Sequence, residues 1–208
     1  MNFDASSIVL IILSLVVAIS IHEMMHAFVA HWLGDDTAER EGRITLNPLA
    51  HIDPVMTIAL SAVLILFGLP PILAAKPVPF NPDRVKFEEF GAALVGLAGP
   101  ITNLVLAILS AGLLGVLQPD FGTLTREALL IFMQLNIGLF VFNMLPIPPL
   151  DGSRVLYVVA PEPVQKVMAQ IEQMGLIFTI FMLFILLQLG ILGPIISNLN
   201  DFFLRLLV

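Results

Sequence analysis

Long apolar runs dominate this chain of 208 residues and restrict what it can fold into. A helix needs about 20 apolar residues to cross the hydrocarbon core of a bilayer. Four runs meet that requirement, at residues 6–33, 90–117, 128–145 and 174–196. Charged residues make up only 12% of the chain, whereas about 25% is usual in soluble domains. The sequence therefore predicts an all-α polytopic membrane protein with about four full transmembrane helices.

A fifth apolar run, at residues 55–75, contains Gly68, Pro70 and Pro71. These residues interrupt helices, so we expect a re-entrant or short hydrophobic segment here. Between the first helix and the second lie polar stretches in which we expect short β-strand or loop elements, with residues 43–46 and 76–80 as candidates for an exposed strand edge. The first run follows Asp4 and carries no Lys or Arg ahead of it, which favours a retained span over a signal peptide.

The distribution of positive charge predicts an orientation. If the first helix runs inwards and the run at 55–75 returns to the side it entered from, seven of the nine Lys and Arg residues face the cytoplasm. Only Arg126 and Arg205 then lie outside, in agreement with the positive-inside rule. If that run crossed fully, three of the seven positive charges would move outside. The charge bias therefore favours re-entry.

The pattern His22-Glu23-Met24-Met25-His26 lies within the first apolar run. Residues four apart share one face of a helix, so both imidazoles can reach one metal ion. Glu23 lies about 100° round the helix from His22, where it can address a metal-bound water. Ionisable groups inside a span are costly and usually functional, so we favour a metal site over a helix end at the interface. His31, about half a turn from the ligand face, is interpreted as interfacial.

The chain has no cysteine, so a zinc site must use His and carboxylate ligands. Zinc held by two His needs a third protein ligand and an open position for water. Asp151 follows a proline-rich break at the end of an apolar run, and such a break is costly in lipid unless it lines a site. An ordinary helix stop with a turn at Asp151-Gly152 explains the same residues. The predicted topology brings Asp151 to the side of the His pair, which favours the ligand.

These residues resemble the site-2 protease family of intramembrane zinc metalloproteases, in the compact form without a PDZ or CBS domain. The resemblance covers roughly residues 20–155, and its motifs occur in the expected order. It rests on His22-Glu23-Met24-Met25-His26, on Gly99-Pro100-Ile101-Thr102-Asn103, and on the stretch from Asn143 through Pro146 to Leu150-Asp151-Gly152. It implies one integral-membrane protease domain over residues 1–208, with a catalytic core at about 6–155 and a C-terminal span and amphipathic tail at 174–208.

The resemblance also implies roles for single residues. His22, His26 and Asp151 would bind one Zn2+ per chain, and Glu23 would act as general base on the zinc-bound water. Asn143 would hold the substrate backbone or help to stabilise the oxyanion. From its position within an apolar helix, Asn103 is expected either to hydrogen-bond between helices or to support a zinc ligand from behind.

The activity implied by the resemblance is regulated intramembrane proteolysis of a single-span membrane protein. The enzyme would sit in a bacterial or archaeal cell membrane, with its active site open to the cytoplasm. A membrane zinc-binding protein without protease activity, or a transporter, is the alternative. A transporter needs ionisable groups along a path to both faces, which the later spans do not supply. No basic tract indicates nucleic-acid binding, and the sequence leaves substrate, trigger and oligomeric state open.

Overall fold

The computed structural model describes residues 5–52 and 76–207, and helices form most of the described chain. Short 3-10 helices span Pro48–Ala50 and Pro82–Arg84. The α-helices, in chain order, are α1 (Ala5–Trp32), α2 (Thr37–Arg40), α3 (Glu88–Leu117), α4 (Leu124–Asn143), α5 (Gly152–Val159), α6 (Glu162–Gln173), α7 (Gly175–Gln188) and α8 (Leu192–Leu207). Helices α1, α3 and α4 are each long and apolar enough to cross a membrane, and they pack against one another. The predicted all-α membrane architecture is confirmed.

Helix α1 buries small residues and exposes large apolar ones. Ala18 and Ala27 are fully buried, whereas Leu13, Val17 and Trp32 are exposed. In water this arrangement would leave a large apolar surface without a partner. In a bilayer it is expected, because lipid covers large apolar side chains and small residues let helices approach closely. The long helices therefore meet through small and polar side chains, which gives polar site residues a place in the interior.

The end of α1 and the start of α3 lie at the same end of the bundle. The backbone N–H of Lys86 donates to the Leu33 carbonyl at 2.9 Å. The fully buried Asp35 carboxylate accepts hydrogen bonds from Thr37 and, at 2.6 Å, from the Asn81 backbone N–H. Burial alone would raise the pKa of the Asp35 carboxyl, but these hydrogen bonds hold it below its ordinary value. The predicted re-entrant segment, 55–75, lies outside the described residues.

The short strands predicted after the first helix are not confirmed. In the described ranges 5–52 and 76–207, strand-like pairing is confined to a single residue, Ile52, while the backbone bends at 44–46 and is irregular at 76–80. The Thr45 hydroxyl accepts from the Asn47 N–H at 3.2 Å, and the Asn47 side chain accepts from the Leu49 N–H at 3.1 Å. Such local bonds compete with strand pairing, which is the physical reason for the difference.

The fourth predicted span, 174–196, is divided into two helices. Helix α7 ends at Gln188, α8 begins at Leu192, and the two helix axes are bent by 85°. Gly190 occupies the break with a φ of 70°, a conformation that favours glycine. The two helices count as one span only if the bent pair crosses the membrane together. Three of the four predicted spans are thus single helices, and the fourth is broken.

Helix α8 packs against α4 along its apolar face. The Phe203 ring lies edge-on to Phe140, with the ring centroids 5.1 Å apart. Asp201 and Arg205 are exposed. The predicted amphipathic tail is therefore the second half of a helix whose apolar side faces the bundle.

Candidate metal centre

Three potential metal-binding atoms converge between the helices. His22 Nε2 lies 3.0 Å from His26 Nε2, and these two atoms lie 3.2 and 3.4 Å from Asp151 Oδ2. With bonds of roughly 2.0–2.2 Å, tetrahedral zinc separates adjacent ligand atoms by about 3.3 Å. The structure thus brings together the three residues that the sequence predicts as ligands, at spacings that suit a tetrahedral ion with one open position.

The far side of each imidazole is bonded to an oxygen. His22 Nδ1 lies 2.6 Å from Asn103 Oδ1, and His26 Nδ1 lies 2.7 Å from the Val95 carbonyl oxygen. Each Nδ1 therefore donates its proton, and in the neutral ring each Nε2 presents a lone pair. Two lone pairs and a carboxylate oxygen facing one another repel unless a cation lies between them. The donor set therefore fits a divalent metal such as zinc.

Gly99 lets α3 come against the two imidazoles. A Cβ at this position would lie 2.4 Å from His26 Nε2 and 2.5 Å from His22 Nε2. Ordinary carbon contacts are about 3.5–4.0 Å. Only glycine therefore fits at this point of α3 without displacing a ring. Gly99 begins the Gly99-Pro100-Ile101-Thr102-Asn103 motif, and the structure shows that this glycine packs against the candidate metal centre.

Asp151 reaches the imidazoles because the chain turns back after α4. The Ile147 N–H bonds to the Leu145 carbonyl and the Leu150 N–H bonds to the Ile147 carbonyl, both at 2.8 Å. A Cβ on Gly152 would lie 2.3 Å from the Met144 carbonyl oxygen, so the turn closes against the end of α4. The Asp151-Gly152 pair is thus both a turn and a member of the cluster, and the two interpretations of the sequence do not exclude each other.

A cleft of about 320 Å³ opens beside the three ligand atoms. The predicted residues Glu23 and Asn143 line it, and the Asn143 amide donates to the Leu139 carbonyl at 3.0 Å. We call its residues from α1 and α3 the inner wall: His22, Glu23, His26, Val95 and Gly96. We call its residues from the segment before α3 and from α5 and α6 the outer wall: Pro77, Val78, Phe80, Arg154 and Glu172.

An ion pair holds the outer wall together. Arg154 pairs with Glu172, and its guanidinium carbon lies 5.6 Å from the centroid of the Phe80 ring. No sequence pattern singled out Arg154 or Glu172, whereas Phe80 ends the stretch 76–80 that was expected to form a strand edge. Arg154 lies three residues after Asp151 in the chain, close to one helical turn, and that spacing is the signal that could have indicated it.

The remaining histidines lie apart from the cluster. His31 is half-exposed and lies 3.1 Å from Glu39, in keeping with its interpretation as interfacial. His51 is buried, and its Nε2 donates to the Thr45 carbonyl at 2.9 Å. Within the described ranges, the group of residues able to hold a metal consists of His22, His26 and Asp151. His51 thus bonds to the backbone of the loop six residues before it.

Comparison with known proteins gives a consistent set of relatives. The profile of Peptidase family M50 matches residues 122–187. The Bacillus subtilis protein YwhC, named as a candidate zinc metalloprotease, is 37% identical over 205 residues, which cover 94% of this chain and 90% of that protein. Rip2 of Mycolicibacterium smegmatis, named likewise, is 30% identical over 84% of this chain and 66% of its own length. No solved structure gives a significant match.

Proposed function

This chain belongs to peptidase family M50, and we propose that it hydrolyses a peptide bond within or near the transmembrane helix of another membrane protein. Its family makes it a zinc metalloprotease, and its apolar helices make it an integral membrane protein. The observation that carries the proposal is the triangle of His22, His26 and Asp151 beside a cleft that Glu23 lines. Regulated intramembrane proteolysis is the process that such a site serves.

In the proposed mechanism His22, His26 and Asp151 hold the zinc ion. When bound there, zinc would polarise the scissile carbonyl and make a water molecule more acidic. Glu23 takes a proton from the attacking water while the water oxygen forms its bond to the carbonyl carbon. The same carboxyl then gives the proton to the amide nitrogen as the C–N bond breaks. Glu23 is thus base and acid in turn, and the proton count balances.

Asn143 is proposed to bind the substrate backbone or to help stabilise the oxyanion. It lies at the end of α4 and lines the same cleft as Glu23. A transmembrane helix satisfies its amides internally and must unwind locally before a carbonyl can be attacked. A side-chain amide at the cleft can replace one of the hydrogen bonds lost in unwinding. We infer that the substrate is a single-span protein whose transmembrane helix unwinds locally beside Asn143 in the cleft.

We also infer that the cleft faces the cytoplasm. Seven of the nine Lys and Arg residues lie between α1 and α3 or in α5 and α6, the same parts of the chain that supply the outer wall of the cleft. That asymmetry follows the positive-inside rule. Water for hydrolysis would then enter from the cytoplasmic side.

The proposal is tested by co-expression with candidate single-span proteins that carry a tag at each end. The wild type is expected to release a fragment cut within or near the span, and Glu23→Gln is expected to lower the cleavage rate by about 10²–10⁴-fold while keeping its zinc. Glu89→Gln, a matched change at an exposed glutamate of α3, should cleave like the wild type. The same fragment in equal yield from the wild type and Glu23→Gln would exclude a protease role.

A further inference from the structure

A chain of buried side-chain amides connects His22 to α4. Asn103 Oδ1 lies 2.6 Å from His22 Nδ1, and Asn103 Nδ2 donates to Asn136 Oδ1 at 2.8 Å. Asn136 Nδ2 in turn donates to the Phe132 carbonyl at 2.8 Å. Both asparagines have an exposed fraction of 0%. The chain therefore crosses α1, α3 and α4 inside the bundle, away from solvent.

The backbone carbonyl at the end of this chain fixes its direction. The Phe132 oxygen can only accept, so Asn136 must turn its NH2 group towards it and its oxygen towards Asn103. Asn103 must then present NH2 to Asn136 and oxygen to His22. His22 Nδ1 consequently carries the proton, and its Nε2 lone pair points to the candidate metal centre. Each amide orientation follows from the one before it.

We propose that Asn136 is a positioning residue for the zinc site, acting through Asn103 on the tautomer and ring orientation of His22. This inference rests on the proposed function, because it concerns the same metal centre. Asn136 belongs neither to the cluster nor to the cleft lining, and it precedes Asp151 by fifteen positions on the helix that leads to it. Helix α4 thus supports the site through the amide chain, in addition to carrying Asn143 and leading into the turn that holds Asp151.

His26 provides an internal contrast. Its Nδ1 donates directly to the Val95 backbone carbonyl at 2.7 Å, so no side chain is needed to fix its tautomer. A change at Asn136 should therefore alter His22 and leave His26 as it is. A role confined to helix packing predicts no such difference between the two rings. This asymmetry separates positioning from structural support.

The test compares Asn136→Leu and Asn136→Ser with Gln134→Leu in the purified full chain. Leucine removes the amide at similar volume. Serine keeps a hydroxyl able to bond to the Phe132 carbonyl but is too short to orient Asn103, so it serves if the leucine variant fails to fold. Gln134 is exposed on the same helix and provides the matched amide-to-leucine control. We expect zinc affinity, measured by chelator competition, to fall about 10–100-fold in both Asn136 variants and to be unchanged in Gln134→Leu.

The second readout is the 15N spectrum of the imidazoles in the zinc-free protein, which reports the tautomer without any substrate. The wild type should show protonated Nδ1 on both His22 and His26. In Asn136→Ser, His22 should become a mixture of tautomers while His26 keeps its signal. Wild-type zinc affinity with an unchanged His22 tautomer in Asn136→Ser would overturn the inference. If these results are obtained but the wild type cleaves no substrate, the proposed function fails and the positioning role of Asn136 stands.

Discussion

The two walls of the cleft are held by different kinds of interaction. On the inner wall, His22 and His26 are buried, and their Nδ1 atoms lie 2.6 and 2.7 Å from oxygens of α3. On the outer wall, Arg154 and Glu172 form an ion pair whose side chains are 31% and 42% exposed. Buried hydrogen bonds hold the two imidazoles in one geometry, whereas an exposed ion pair contributes about 0–1 kcal/mol and breaks easily.

We therefore expect the inner wall to determine metal binding and the outer wall to determine access to the cleft. The inner wall can be complete before a substrate arrives, because its partners are all within α1, α3 and α4 or the turn after α4. The outer wall comes from the segment before α3 and from α5 and α6, and its five residues are distinct from the proposed metal ligands. Substitutions on the two walls should therefore affect different measurements.

The largest effect is expected from Gly99→Ala on α3. Its methyl group would lie 2.4–2.5 Å from both imidazole Nε2 atoms, so at least one ring must move. We expect zinc affinity to fall on the order of 100-fold and cleavage to fall with it. Gly112→Ala on the same helix, where a Cβ meets no atom within 4 Å, is the matched control. Zinc content equal to that of the control, measured by mass spectrometry of the purified protein, would show that the inner wall is not rigid.

An intermediate effect is expected where the segment of the outer wall is bonded to the turn after α1. Asp35 accepts three hydrogen bonds, one of them from Asn81 beside Phe80. Asp35→Ala should lower the free energy of unfolding by about 1–3 kcal/mol. The change should have little effect on zinc affinity. Asp36→Ala loses only exposed ion pairs to Arg40 and Arg84. It should lower the free energy of unfolding by less, about 0–1 kcal/mol.

The contribution of Asp35 to the free energy of unfolding should also depend on pH. Its pKa is lowered in the folded protein, so the unfolded state takes up a proton first as the pH falls. The stabilisation is then fully present above the ordinary value of 3.8 and is lost as the pH falls through the lower folded pKa. The difference in unfolding free energy between wild type and Asp35→Ala should shrink in that acidic window. A difference that grows on acidification would contradict the assigned hydrogen bonds.

The smallest effect is expected at Arg154 itself. Arg154→Ala opens the ion pair with Glu172 and should leave zinc affinity unchanged. Because such a pair contributes about 1 kcal/mol at most, kcat/KM for cleavage should change by less than about 5-fold. The effect should be reproduced by Glu172→Gln and should diminish at high salt. A tenfold loss of zinc in Arg154→Ala would mean that the two walls are not independent.

The sequence predicted the elements with a strong local signal. Apolar length identified α1, α3 and α4, and the spacing of His22 and His26 placed both on one helical face. The proline-rich break before Asp151 indicated a residue turned towards the site, and the structure brings that residue to the imidazoles. Its role as a ligand, like those of His22 and His26, is a proposal that metal analysis tests.

Other features depend on how helices are rotated against one another, which a single sequence does not record. The contact of Gly99 with both imidazoles and the pairing of Asn103 with Asn136 are of this kind. The break at Gly190 was missed because the apolar run continues through it, and hydropathy is insensitive to a change of helix direction. The expected strands were replaced by local bonds of Thr45 and Asn47, which compete with pairing over very short distances.

The most direct test of the metal centre is the zinc content of the purified full chain with and without Asp151. The wild type and Asp201→Ala, a matched change at an exposed aspartate of α8, should each hold one zinc ion per chain. Asp151→Ala should lose most of its zinc under the same dialysis against a chelator, because it removes one of three protein ligands. Undiminished zinc in Asp151→Ala would contradict the proposed centre of His22, His26 and Asp151.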